Sequence, residues 1–171
     1  VRDIVSNLKS FSRTQSSDRE NTDVKDCIIS ALKIAHNKVK YHCDVIQKFT
    51  TTPLIYCNKN ELTQVFLNII INAAQAITKQ GVITLSTRCS DDYIIVDISD
   101  TGIGIPEKNL DRIFNPFFTA KPLGVGTGLG LSVSYGIIKD LSGTISAEST
   151  PGIGTTFTIL IPIDARVGER N

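Results

Sequence analysis

Asp100-Thr-Gly-Ile-Gly-Ile-Pro106 and, a little further on, Gly124-Val-Gly-Thr-Gly-Leu-Gly130 hold six of the twelve glycines in this 171-residue chain. Ten of the twelve fall between Gly102 and Gly154. Glycine costs conformational entropy wherever it stands, so it gathers where the backbone turns with positive φ or comes very close to something bound. The second burst runs into a helical pattern from about Leu129 to Leu141, which leaves backbone N–H groups and a helix dipole free to meet an anion. A ligand with phosphates is the first candidate. Neither Gly-x-Gly-x-x-Gly nor Gly-x4-Gly-Lys-Ser/Thr can be fitted, because the chain has no Gly-Lys dipeptide; this speaks against a dinucleotide fold and a P-loop.

Upstream of the first burst lies an alternating strand, Tyr93-Ile-Ile-Val-Asp-Ile-Ser99. It presents the Asp100 carboxylate at a sheet edge where the chain turns sharply. An ionised carboxylate only accepts hydrogen bonds, which matches the exocyclic amine of adenine. Taken alone, Asp-x-Gly is also an ordinary turn.

Further upstream, a helix is expected from about Glu61 to Ile77. Its polar positions Glu61, Gln64, Asn68, Asn72 and Gln75 step by three or four and share one stripe. Buried amides often cap neighbouring loops. Two asparagines four apart also suit Mg²⁺, since their carbonyl oxygens are neutral hard acceptors for an ion already largely neutralised by a triphosphate. Between the glycine bursts, Ile113-Phe-Asn-Pro-Phe-Phe-Thr-Ala-Lys121 puts three of the seven phenylalanines in a proline-bearing loop. They are either core or the anchors of a mobile lid whose Lys121 reaches toward phosphate.

The rest of the chain frames these segments. A helix is expected from Asp23 to Ala35, an extended segment from Asp44 to Phe49, and strands at Val82–Thr87, Thr144–Glu148 and Thr155–Ile161. Helices beside neighbouring strands imply an α+β two-layer sandwich, with helices on one face of a mostly antiparallel sheet. Val1, Ile4, Val5, Leu8 and Phe11 read as the end of an amphipathic helix over residues 1–13, and the polar run 14–21 as a linker. The main domain then covers 22–163 and a short tail 164–171. With no methionine and a valine at its start, the chain reads as a piece of a longer polypeptide.

Eighteen Lys and Arg against 17 Asp and Glu, a net charge of +1, give no electrostatic footprint for nucleic acid. Cys27, Cys43, Cys57 and Cys89 form no Cys-x-x-Cys pair and read as reduced core thiols of a cytoplasmic domain. The longest apolar run, Val65 to Ile77, is too short and too interrupted by Asn to span a bilayer.

Taken in order, Asn68-x-x-x-Asn72-Ala, Asp100-x-Gly-x-Gly, Phe114-x-Pro-Phe-Phe and Gly126-x-Gly-x-Gly-Leu resemble the N, G1, F and G2 boxes of sensor histidine kinase catalytic domains. The likeness covers about Thr22 to Ile163. Phe117-Phe-Thr-Ala-Lys-Pro and Gly128-Leu-Gly-Leu-Ser-Val-Ser-Tyr-Gly are similar to the nitrogen-regulation-like branch. The resemblance implies the Bergerat ATP-binding fold, shared with gyrase, Hsp90 and MutL ATPases, with ATP and Mg²⁺ as ligands.

By position, it implies that Asn72 holds Mg²⁺ with help from Asn68, that Asp100 binds adenine, and that Gly102 and Gly104 shape the pocket. Gly126, Thr127, Gly128 and Gly130 fall in the hinge and phosphate end of an ATP lid, and Thr155 supports Asp100 and the base. Ile105, Ile113 and Leu129 either wall the base or belong to the core. Gln75 stands where some histidine kinases carry a phosphate-contacting Lys, which leaves that contact to Lys121 or another basic residue. The related ATPases place a glutamate four residues before the metal Asn; here that position is Asn68, and an amide is no general base.

Residues 1–13 resemble the last turns of a dimerisation and phosphotransfer helix. His36 and His42 lie outside any acceptor motif and are expected to be structural or solvent-facing. The resemblance therefore implies a kinase domain whose phosphoryl goes to a histidine elsewhere, on the same polypeptide or its dimer mate, and then to the Asp of a response regulator receiver domain. A gyrase- or chaperone-like ATPase and a non-catalytic, ATP-responsive interaction module are the alternatives.

Overall fold

The computed structural model describes residues 19–120 and 126–163. The expected helix over 1–13, most of the linker, Lys121 and the tail from 164 lie outside the described residues.

The elements in chain order are β1 (Glu20–Thr22), α1 (Val24–Val39), β2 (Cys43–Phe49), β3 (Ile55–Cys57), α2 (Lys59–Ala76), β4 (Gly81–Cys89), β5 (Tyr93–Asp100), α3 (Glu107–Leu110), α4 (Gly130–Asp140), β6 (Thr144–Thr150) and β7 (Gly154–Pro162). Five strands make one sheet in the order β2-β4-β5-β7-β6, and β1 pairs with β3 in a separate two-stranded ribbon. The fold is α+β with a mixed, mostly antiparallel sheet. Among the described strands only β2 and β4 run parallel, because α2 lies between them in sequence and carries the chain back to the starting end, as a parallel pair requires.

The core follows from period two in the strands meeting period 3.6 in the helices. Ile83, Leu85, Ile94, Val96, Ile98, Phe157, Ile159 and Ile161 are buried on alternate positions. Leu62, Val65, Phe66, Ile69, Ile70 and Ala73 form the buried stripe of α2, which packs on β4, β5 and β7 and also on α1 and α4. Each fully buried Ile, Leu or Phe of this set contributes about 1.5–3 kcal/mol relative to exposure.

Several boundaries differ from the sequence reading. Helix α1 runs to Val39 rather than Ala35, because Val39 continues the buried stripe Val24, Cys27, Ile28, Ala31, Ala35, and His36 and Lys38 complement the dipole in the last turn. Helix α2 starts at Lys59, two residues before Glu61, because the Asn58 side chain caps it by accepting from the N–H groups of Asn60 and Glu61. Glu20 and Asn21, inside the stretch read as linker, are strand: Glu20 pairs with Cys57 and Asn21 with Tyr56. Strands of three residues show no readable alternation, so β1 and β3 escaped the sequence.

The four cysteines are free, but they are not all core thiols. Cys27 and Cys57 are buried, Cys43 is half-buried, and Cys89 is exposed at the end of β4. Burial pushes the Cys27 thiol up to about 11. His36 is exposed, while the His42 ring lies with Nε2 3.1 Å from the Ala74 carbonyl oxygen near the end of α2.

Candidate functional site

The C-terminal ends of β5 and α2 meet through the first glycine loop. The Ile103 N–H donates to the Ala76 carbonyl at 3.0 Å. A Cβ on Gly102 would lie 2.7 Å from the Ala76 carbonyl carbon, so only glycine lets the loop lie flat on the helix end. Asn72 and Gln75 are thus brought, one turn or less from Ala76, to the same end as Asp100. Asn72 is half-buried and Gln75 exposed, and both make interactions of their own.

Asp100 is the buried acid of this end, with 7% of its surface exposed. Its carboxylate accepts the Gly102 N–H at 2.8 Å and the backbone N–H of Thr155, the residue directly opposite on β7. Burial pushes the carboxyl above the ordinary aspartate range, against the pull of those two N–H donors. A carboxylate held on a turn by its own backbone is a preorganised acceptor, and its remaining capacity suits a donor such as an amine. Gly154, at φ 143°, lets β7 pass so close that a Cβ there would run into the Asp100 carbonyl.

Behind this pair is a hydroxyl cluster that the sequence reading did not single out. Ser149 of β6 accepts the Ile105 N–H at 2.7 Å, donates to the Gly154 carbonyl at 2.9 Å, and has its Oγ 2.9 Å from Thr155 Oγ1. The available signal was its place six residues before Thr155 across the β6–β7 turn, where strands facing each other bring it opposite. Of the three apolar residues expected either at the base or in the core, Ile113 belongs to the buried core, Ile105 packs half-buried against that core, and Leu129 is half-buried.

Asn68 does what a capping amide does. Its Nδ2 donates to the Gly130 carbonyl at 2.9 Å and to Ser134 Oγ at 3.1 Å, while its Oδ1 accepts from Gln64 Nε2 at 2.8 Å. Both amide donors of Asn68 thus hold the start of α4, while its oxygen, with one lone pair on Gln64, keeps a second for another partner.

The second glycine burst reaches the site through α4. Helix α4 begins at Gly130, and among the described residues no side-chain cap sits on its Leu129 N-cap; the N–H groups of such a helix start suit an anion. Gly126, Thr127, Gly128 and Gly130 are all half-buried, and Thr127 Oγ1 accepts from the Leu129 N–H at 3.4 Å. Gly128 takes φ 67° and a Cβ there would lie 2.7 Å from Phe117 Cα. Its carbonyl accepts the Phe117 N–H at 2.9 Å, and Phe117 itself has φ 66° with 74% of its surface exposed. Of the three loop phenylalanines, Phe114 and Phe118 pack on the core and Phe117 faces out.

Among the described residues no group of three or more His, Cys, Asp or Glu could hold a metal ion. The donors at this end are neutral amides and one carboxylate already bound to backbone. Such a set fits Mg²⁺ that arrives on a polyphosphate and keeps most of its waters, and does not fit a resident ion.

Residues 57–165 match the family described as histidine kinase-, DNA gyrase B- and HSP90-like ATPases. The chain is 36% identical over 175 residues to the sensor kinase CckA of Brucella abortus, covering 93% of this chain and 18% of that protein. It is 34% identical over 167 residues to the sensor histidine kinase ZraS of Klebsiella oxytoca, covering 95% of this chain and 36% of that protein. The chain thus spans well under half the length of these curated relatives. Among solved structures, the nucleotide-free catalytic domain of the histidine kinase ThkA superposes with a TM-score of 0.75 at 28% identity, covering 85% of this chain and 98% of that one. ThkA in complex with the response regulator protein TrrA gives a TM-score of 0.79 at 23% identity over 99% of this chain and 48% of that one, a likeness of fold. No helix among the described residues is long and apolar enough to cross a membrane.

Proposed function

The chain belongs to the histidine kinase-, DNA gyrase B- and HSP90-like ATPase family, and from that premise we propose that residues 22–163 are the ATP-binding catalytic domain of a two-component sensor histidine kinase. The observation that carries this reading is Asp100, buried at the end of β5 and braced by the N–H groups of Gly102 and Thr155. In this role Asp100 accepts the adenine amine, Gly102 and Gly104 let the loop close on the base, and Thr155 supports the acid. Relatives of this chain that are named as sensor kinases support the kinase reading over the other branches of the family.

At the phosphate end, the uncapped start of α4 and the backbone of Gly126, Gly128 and Gly130 receive the polyphosphate, and Asn72 holds the Mg²⁺ that comes with it. The metal, when bound, neutralises charge on the transferring phosphoryl group. Asn68 fixes the α4 end against α2, so the phosphate-binding backbone keeps its distance from Asn72. Lys121 supplies the phosphate contact for which Gln75 has no charge. The chain's contribution to transfer is then orientation and charge stabilisation, with the acceptor imidazole brought by another domain.

The phosphoryl passes to a histidine of the same polypeptide or its dimer mate, and from there to an aspartate of a response regulator, the kind of protein bound to ThkA. The domain works in the cytoplasm, whether or not its parent is anchored in a membrane, and it lies in the nitrogen-regulation-like branch. Incubation with radiolabelled γ-phosphate ATP, Mg²⁺ and a histidine-bearing helical domain tests the whole reading. Transfer to the added domain, lost in Asp100→Ala, is expected. ATP hydrolysed to free phosphate without transfer would put the ATPase reading in its place.

A further inference from the structure

We propose that Ser149 is a positioning residue for recognition of the nucleobase, acting through Thr155. The inference rests on the reading of Asp100 as the acceptor of an adenine amine. Ser149 has one proton and three polar neighbours: the Ile105 N–H at 2.7 Å, the Gly154 carbonyl at 2.9 Å and Thr155 Oγ1 at 2.9 Å. The Ile105 N–H fills one lone pair of the serine oxygen. If the serine proton goes to Gly154, the threonine proton turns to the second lone pair, and all four groups are satisfied at once. If the serine proton goes to Thr155 instead, the Gly154 carbonyl loses this partner, at the cost of a half-met buried acceptor.

The first arrangement therefore holds, and it leaves the lone pairs of the buried Thr155 Oγ1 as acceptors at the strand position paired with Asp100. Two acceptors side by side suit a group with two N–H donors, which is an amino group and not a ring carbonyl or a bare C–H. Ser149 thus sets the polarity of Thr155 and, through Ile105, ties the glycine loop to the same point. Nothing in its position needs contact with the ligand.

The test compares the affinity of the full chain, with Mg²⁺, for ATP and for purine riboside triphosphate, which lacks the 6-amino group, by titration calorimetry. The wild-type protein prefers ATP. Ser149→Ala lowers that preference about five- to tenfold, the effect of a hydrogen-bond-sized loss, and Ser149→Thr, which keeps the hydroxyl, recovers it. Ser149→Cys, of similar size with a poor donor, serves as a second variant and shows the same lowered preference. A Ser149→Ala or Ser149→Cys protein that binds both nucleotides more weakly by the same factor, or binds both as the wild type does, overturns the inference. A wild-type protein with no preference between the two overturns the amine-accepting role of Asp100 and this inference with it.

Discussion

Asn68 and Gly130 stand 62 residues apart in the chain and are joined by a 2.9 Å bond from the amide Nδ2 to the carbonyl oxygen. Ser134 closes the triangle, accepting from the same amide at 3.1 Å and donating to the same carbonyl at 2.9 Å. One side chain of α2 thereby fixes the first turn of α4. Replacement by aspartate swaps the donor for an acceptor against the Gly130 carbonyl. Asn68→Asp is expected to lower stability by about 1–3 kcal/mol, read by urea denaturation. An unchanged midpoint would show that the triangle contributes nothing.

Asp100 lies on the opposite balance. Its carboxyl is pushed above the ordinary aspartate range by burial, so the group favours the fold below its unfolded pKa, and that contribution is lost as pH rises through the folded value. At neutral pH its charge is a burden on the fold. Asp100→Asn keeps an acceptor for the Gly102 N–H but removes the charge and puts an amide donor where the second carboxylate oxygen stood. The variant is expected to melt at or above the wild-type temperature at pH 7, with the advantage shrinking toward acid pH. Its ATP affinity falls about tenfold or more, the effect of roughly 1–3 kcal/mol. A variant that melts lower at pH 7 and higher in acid would show instead that the buried charge favours the fold.

Much of the fold was legible because the strands alternate cleanly and α2 repeats its apolar stripe for most of its length. The elements that escaped were too short to show a period: β1, β3 and the four-residue α3. Asp100, Gly102 and Gly104 stood out because a carboxylate beside paired glycines is a local pattern. Ser149 did not, because its meaning lies in a neighbour across a strand pair. Asn68 was visible as polar, yet its work depends on where α4 begins, which the local sequence of α2 does not contain.

Gly128 at φ 67° sits under the Phe117 backbone, so any Cβ both strains the residue and pushes the aromatic loop away. Gly128→Ala is expected to cost about 1–3 kcal/mol in stability and to weaken ATP binding. Gly152→Ala is the control, for it shares the positive φ but has open space around its Cβ position. Equal nucleotide affinity in both variants, by fluorescence titration, would detach the Phe117 contact from the site.

Metal binding is expected only with nucleotide, since the described residues hold no acidic or histidine cluster of their own. Calorimetry with Mg²⁺ alone should give no saturable heat, and EDTA should leave the melting temperature of the nucleotide-free protein unchanged while weakening ATP. A melting temperature that drops with EDTA alone would point to a resident ion.

The thiols offer a check on the packing. Cys89 is exposed and should alkylate readily in the native state, whereas Cys27, buried with its thiol pushed up to about 11, should react only on unfolding. Mass mapping after a short iodoacetamide pulse reads this directly. Labelling of Cys27 ahead of Cys89 would contradict the packing of α1.

One end of this sheet is proposed to bind ATP through Asp100. Calorimetric titration with a non-hydrolysable ATP analogue, with and without Mg²⁺, tests it most directly. Saturable, magnesium-sensitive binding that Asp100→Ala weakens about tenfold or more is expected. Binding of equal strength in Asp100→Ala, or none in the wild-type protein, would contradict it.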